Sequence, residues 1–268
     1  MLQALGLALV GETYRDQLPI HPEEVLRYGC TEGSVSVTLS GVQRPLELHF
    51  RKGAERFETN TPEPKVLLLG YGATRLLPRA GVQPAPGTDA ARVDNLYNPF
   101  IPLHDAENWL MHLSEPAFQQ VALALKELLS LEEADQLARR SGRVEVDAFG
   151  TTVTLKQLSD GYQSVLALAT DIMAVMLERW PSMDVAEGIV LVDEIGAHQH
   201  PRWKMRIVKS LRRVFPRVQF LTSTHDPLCL RGLLAGEVVV MRRTTGDQTV
   251  ALTDLPPVEG LRVDQLLT

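Results

Sequence analysis

Two apolar runs in the C-terminal half of the chain end in side chains that can do chemistry. The run "GIVLV" (188–192) is followed at once by Asp193 and Glu194, and then by "IGAHQHP". The run "VQFLT" (218–222) is followed by "STHDP", which brings His225 to a second strand end. In an open α/β sheet, ligands sit beyond the carboxyl ends of the strands, so a buried strand finishing in Asp-Glu delivers one carboxylate to a metal and the other to a water. Asp193 would hold Mg²⁺ through a water, because Mg²⁺ keeps much of its hydration shell. Glu194 would polarise the attacking water as general base. His225 could hydrogen-bond a developing negative charge. The two strand ends lie about thirty residues apart with one helix between them, which makes a βαβ unit and predicts that they are neighbours.

A third group precedes these two. In "LSDGYQS" (158–164), Ser159 can cap a helix whose next backbone N–H groups point outward unpaired. A helix start with Ser159, Gly161 and Gln163 suits an anion: the dipole favours negative charge, and a glycine lets a phosphate approach the backbone. Taken singly, each group has a plain structural reading as well: an acidic strand end, a satisfied histidine, an ordinary N-cap with a turn glycine. "HQH" (198–200) beside the carboxylates adds a further alternative, a metal-dependent nuclease or hydrolase built on Asp193, Glu194, His198 and His200.

The elements that must position these residues are legible in the periodicity. Residues 2–10 have helical spacing and stop at Gly11. "SVSVTLS" (34–40) and "PLELHFRK" (45–52) alternate as an antiparallel pair, and "KVLLLGYG" (65–72) reads as a fully buried strand. "PRAGVQPAPGTDA" (78–90) is a loop candidate. "DAENWLMHL" and "SEPAFQQVALALKELLSLEEADQLARR" read as two helices, the second starting at Ser114, and 142–155 reads as a hairpin. A long helix over about 159–180, the strand 188–194, a helix from Pro201 to about Val214, the strand 218–224, a short helix near 227–234 and a strand 237–243 follow. Strands alternating with helices predict a parallel sheet with crossover helices. On a continuous helix 201–214, Arg202, Arg206, Lys209 and Arg213 share one face, opposite Trp203, Ile207, Leu211 and Val214.

Composition sets outer limits. With 268 residues, 44% hydrophobic and 22% charged, the chain can bury a large core. A net charge of −6 excludes a protein that wraps nucleic acid with its whole surface, while leaving room for a local basic patch. Two cysteines, Cys30 and Cys229, make no disulfide framework and no four-thiolate metal site. "MLQALGLALVG" is shorter than the roughly 20 residues of a membrane span and lacks a basic n-region, so a cytoplasmic protein without a membrane segment is expected.

Together the three groups resemble the ABC-type ATPases. "LSDGYQS" is similar to the LSGGQ-type signature, "IVLVDEIGAHQHP" to Walker B with its D-loop, and "TSTHDP" to the switch-histidine loop. The wording of these motifs and of "GYGATRLLPR" (70–79) looks most like the SMC/RecF-like branch, which includes AAA-type ATP-binding proteins of bacterial anti-phage defence. The resemblance implies an α/β, P-loop NTPase-like fold (an ABC ATPase head): a mixed sheet with crossover helices, an antiparallel β lobe and a helical lobe. It would form a single domain over 1–268, divided at 1–77, 78–158 and 159–268. It also implies ATP and Mg²⁺ as cofactors and a head-to-tail homodimer. In that dimer Ser159, Gly161 and Gln163 would meet the nucleotide of the opposite subunit, Asp193 would serve Mg²⁺, Glu194 the water and His225 the γ-phosphate. A nuclease effector, or DNA bound through the Arg202/Arg206/Lys209/Arg213 face, would be a partner. Asn95 to Pro99 would correspond to the loop joining core and helical lobe, without the family's Gln, and Asp160 replaces the first Gly of the signature.

One family element is missing. None of the lysines (52, 65, 126, 156, 204, 209) follows a glycine, so no G-x-x-x-x-G-K-[ST] stands in the sequence. "MLQALGLALVGE" resembles the helix after a P-loop, and "GLRVDQLLT" an interior segment of longer family members. A chain lacking Walker A is therefore expected, with poor ATP binding on its own. A non-catalytic dimerisation module is the competing reading.

Overall fold

The computed structural model describes residues 1–60, 65–75, 91–148, 150–244 and 248–254. In chain order, helices α1 (Leu2–Leu9) and α2 (Glu12–Arg15) precede strands β1 (Glu32–Val37), β2 (Leu46–Arg51), β3 (Glu58–Thr59), β4 (Leu68–Tyr71) and β5 (Ala91–Arg92). Helices α3 (Asp94–Tyr97), α4 (Ala106–His112) and α5 (Glu115–Leu128) lead to strands β6 (Gln136–Arg140), β7 (Arg143–Ala148) and β8 (Thr151–Thr154). Then come α6 (Asp160–Leu177), β9 (Gly188–Val192), α7 (Pro201–Lys204), α8 (Ile207–Val214), β10 (Val218–Thr222), β11 (Val240–Arg243) and β12 (Thr249–Leu252). The loop candidate 78–90 lies outside the described residues. No helix among the described residues is long and apolar enough to cross a membrane.

The chain folds into two compact units interleaved along the sequence. The first takes the described residues of 1–104 together with 186–193 and 217–223. Its centre is a parallel sheet in the order β10-β9-β4-β5. β9 is flanked on both sides, so its residues are apolar without alternation, and Val190, Leu191 and Val192 are wholly buried. A second sheet, β1-β2-β3, is antiparallel, with the alternation expected of one covered face. α1 packs between the sheets, and Leu7, Leu9, Leu48, Leu68 and Leu191 share one core.

Asn95 braces the end of β4. It is 4% exposed; its Oδ1 accepts from the Gly72 amide at 2.9 Å, and its Nδ2 donates to the Thr74 and Ile101 carbonyls at 3.2 and 2.9 Å. Gly72 is required there, because a Cβ would stand 2.6 Å from the Asn95 carbonyl oxygen.

The second unit takes 105–185, 194–216 and the described residues from 224 onward. α4 and α5 pack on α6, and α5 also packs on α8. Asp105 caps α4 by accepting from the Asn108 amide at 3.0 Å. The sheet β6-β7-β8 is antiparallel, and its strand β6 corrects the sequence reading, which ran helix through 136–140. α5 instead ends in a Schellman motif: Ser130 has φ 53°, its amide donates to the Glu127 carbonyl at 3.1 Å, and the Leu131 amide donates to Lys126 at 3.0 Å. A second correction concerns 201–214, which is two helices. Arg206 opens to φ −110° and its amide turns to the Trp203 carbonyl three residues back. The break lets the Trp203 indole donate to the Leu128 carbonyl at 2.7 Å, while Ile207 and Leu211 stay buried. Third, 237–243 does not extend the parallel sheet: β11 pairs antiparallel with β12 in a separate exposed hairpin.

On the sheet of the second unit, Asp147 accepts from Arg140 at 2.8 and 2.6 Å, from Thr152 at 2.6 Å and from Gln136 at 3.0 Å. The guanidinium, helped by the two neutral donors, holds this carboxyl well below the usual carboxylate range. Because the folded value lies below the unfolded one, its contribution to stability is present above about pH 4 and is lost as pH falls toward the depressed value. Wild-type protein should therefore lose its stability advantage over Asp147→Asn as pH falls below about 4, read from urea midpoints across pH. In the first unit, Asn95→Ala should cost about 2 kcal/mol by leaving buried backbone groups unpaired. The urea midpoint should fall with little change in slope.

Candidate functional site

In the first unit, the parallel register sets the carboxylate. Val192 lies opposite Thr222 across β9 and β10, and opposite Tyr71 across β9 and β4. One residue on, the Asp193 amide donates to the Tyr71 carbonyl and the Ser223 amide to the Val192 carbonyl, at 2.8 and 3.0 Å. Ser223 then donates its hydroxyl to Asp193 Oδ1 at 2.5 Å, and the buried Arg75 donates to the Asp193 carbonyl at 3.4 Å. Asp193 is thus fixed at the carboxyl end of the sheet, partly exposed, an oxygen-rich end of the kind Mg²⁺ takes. Ser223 was not singled out by the sequence reading, although the predicted pairing of the two strand ends was the signal that could have found it.

In the second unit, Glu194 and His225 meet. Glu194 Oε2 stands 2.8 Å from His225 Nδ1. The imidazole is 85% exposed and the carboxylate side chain 31%, so the pair can reach a ligand from solvent. Glu194 has φ 46°, a left-handed conformation that costs a non-glycine residue about 1–3 kcal/mol and is found where a site over-determines the backbone. The turn after it is closed by the Ala197 amide on the Glu194 carbonyl at 2.9 Å, and His198 is also left-handed at φ 62°.

The start of α6 is in the second unit too. Ser159 is its N-cap residue but makes no side-chain capping hydrogen bond, and it is exposed, so its hydroxyl is not spent on the helix. Asp160 opens the first turn, where a carboxylate suits the helix dipole. A Cβ on Gly161 would lie 2.8 Å from the His198 carbonyl oxygen, so the glycine is required by close packing on the turn after Glu194. Gln199 fastens that approach by donating to the Gly161 carbonyl at 3.0 Å. Gln163 turns its amide back to the Lys156 and Leu158 carbonyls, at 3.1 and 2.7 Å. Its side chain therefore ties down the chain entering α6. The helix start borders an open groove of about 1020 Å³, into which Arg202, Arg206 and Arg231 also face.

His200 Nδ1 accepts from the Arg202 amide at 3.3 Å and caps α7. Among the described residues no three His, Cys, Asp or Glu side chains group as a metal site. Arg202, Arg206, Lys209 and Arg213 are exposed but do not run along one continuous helix, and Arg213 pairs with Glu127 at 2.8 Å.

The chain is 42% identical over 273 residues to a protein of Bacillus mycoides (strain KBAB4) named "Septu protein PtuA", covering all of this chain and 38% of that protein. It is 36% identical over 95 residues to the "Retron Vc95 probable ATPase" of Vibrio cholerae serotype O1 biovar El Tor, covering 34% of this chain and 18% of the relative. The chain thus spans well under half the length of these relatives. Among solved structures it shares the fold of an SMC head, described as "Crystal structure of the SmcHead bound to the C-winged helix domain of ScpA", with a TM-score of 0.51 at 12% identity over 94% of this chain and 85% of that one. A family model described as "AAA domain, putative AbiEii toxin, Type IV TA system" matches residues 12–231. The chain belongs to this family of AAA-type ATPase domains, on an α/β fold of the SMC-head, P-loop NTPase-like kind.

Proposed function

We propose that this chain is the part of a Mg-dependent ATPase head, a single domain over 1–268, that carries the signature helix, the Walker B strand and the switch histidine, and that it works as a head-to-tail dimer. The observation that carries the reading is the contact between Glu194 and His225 at 2.8 Å, at the exits of two parallel strands.

In this reading Asp193, held by Ser223, takes a water of the Mg²⁺ shell, and the metal supplies charge neutralisation at the phosphates. Glu194 accepts the proton of the attacking water at its carboxylate. His225 keeps Glu194 oriented through Nδ1 and offers the ring to the γ-phosphate. The free hydroxyl of Ser159 and the unpaired N–H groups at the start of α6 receive the γ-phosphate of a nucleotide on the opposing copy. The phosphate-cradling G-x-x-x-x-G-K-[ST] is not among these 268 residues, and the chain alone should bind ATP poorly. In this reading the protein acts in the cytoplasm beside a nuclease effector or DNA, and the similarity to a Septu protein and to a retron ATPase supports a role in anti-phage defence.

Two measurements test this. Titration of the purified chain with ATP should show no micromolar binding, and tight binding would overturn the requirement for an added P-loop segment. In the full-length protein, Glu194→Gln should lower kcat at least about a hundredfold and accumulate an ATP-bound dimer by light scattering. Wild-type turnover in that variant would reject Glu194 as the base.

A further inference from the structure

His225 presents a difficulty that its own contacts do not resolve. Its side chain is 85% exposed, so no packing holds the ring. Its partner Glu194 sits on a left-handed residue. The loop bearing His225 runs only into a 3₁₀ turn, Pro227–Leu230, too short to supply rigidity by itself. What holds this loop is Asp226. Its Oδ1 accepts from the Leu228 amide at 2.9 Å, its own amide donates to Thr224 Oγ1 at 3.0 Å, and its Oδ2 meets Lys204 Nζ at 2.6 Å. The ammonium beside it keeps the Asp226 carboxyl below its ordinary value.

Lys204 closes α7, the helix that follows the turn after Glu194, and its stem lies along that turn. A Cβ on Gly196 would stand 3.6 Å from Lys204 Cε and 2.6 Å from Cys229 Sγ. The two charged side chains are only 18% and 22% exposed, which screens the pair less than a surface ion pair. All of these residues belong to the second unit. One ammonium therefore ties the Glu194 turn and α7 to the loop that presents His225.

We propose that Lys204 is a positioning residue for hydrolysis: through Asp226 it holds the His225 loop against the Glu194 turn. The inference rests on the reading of Glu194 and His225 as the hydrolytic pair.

The test has two readouts. In the 268-residue chain, Lys204→Met should speed hydrogen exchange at the amides of 225, 226, 228 and 229 about tenfold, while Lys204→Arg keeps them near wild type. In the full-length protein, Lys204→Met should lower kcat roughly ten- to a hundredfold with KM for MgATP nearly unchanged, and Lys204→Arg should recover most of the rate. Asp226→Asn, isosteric and neutral, carries the same expectations should Lys204→Met fold poorly. Wild-type exchange at the amides of 225, 226, 228 and 229, or a changed KM with unchanged kcat, would overturn the tether. Wild-type turnover in both Glu194→Gln and His225→Ala would instead overturn the hydrolytic pair, an outcome that the exchange experiment does not share.

Discussion

The level parallel pairing of β9 with β10 is the constraint from which the site follows. Because Val192 stands opposite Thr222, the chain leaves both strands at the same height, and the next residue of one can bond the next residue of the other. Ser223 and Asp193 do so. A slip of one residue would turn each side chain of the slipped strand to the other face of the sheet, taking Asp193 away from Ser223. The register fixes the carboxylate.

Beyond the strand ends the backbone must turn sharply, and the turns are held by specific contacts. Glu194 and His198 both take left-handed conformations, which would relax if the turn between them were free. It is not free: Ile195 is buried, Gly196 packs on Cys229, and the His198 carbonyl rests on Gly161. The strain at Glu194 is thus retained by packing on three sides. Cys229, whose thiol burial pushes up in pKa, serves as an inert packing group in this arrangement.

Much of this was legible in the sequence, and the failures have identifiable causes. Continuous apolar runs announced β4 and β9, and alternation announced β1 and β2, because burial on two faces and on one face leave different periods. The end of α5 was missed because the left-handed residue of its Schellman motif is Ser130 and not a glycine or asparagine. The break at Arg206 leaves no residue-type signal, since the apolar stripe of Trp203, Ile207 and Leu211 keeps helical spacing across it. The strand 237–243 was recognised as a strand, but not its partner, because β propensity reports exposure and shape rather than pairing. At the site, the motif residues were legible while Ser223, Gln199, Lys204 and Asp226 were not, since each acts through a contact far away in sequence.

The start of α6 shows how one position can answer two demands. Gly161 reads from sequence as room for a phosphate, and in the fold it is room for the His198 carbonyl. These demands do not compete, because the packing face of a helix start and its N–H groups point in different directions: the side-chain position faces the neighbouring turn, while the amides point along the helix axis. Gln163 and Gln199 donate their side-chain amides to the Leu158 and Gly161 carbonyls, which ties down the chain around this helix start. What is left at the end of the helix is Ser159, exposed and not engaged in capping, with the positive end of an 18-residue dipole behind it. The packing of Gly161 fixes where that anion-favouring end stands relative to the turn after Glu194, so the glycine contributes to the site by setting its geometry.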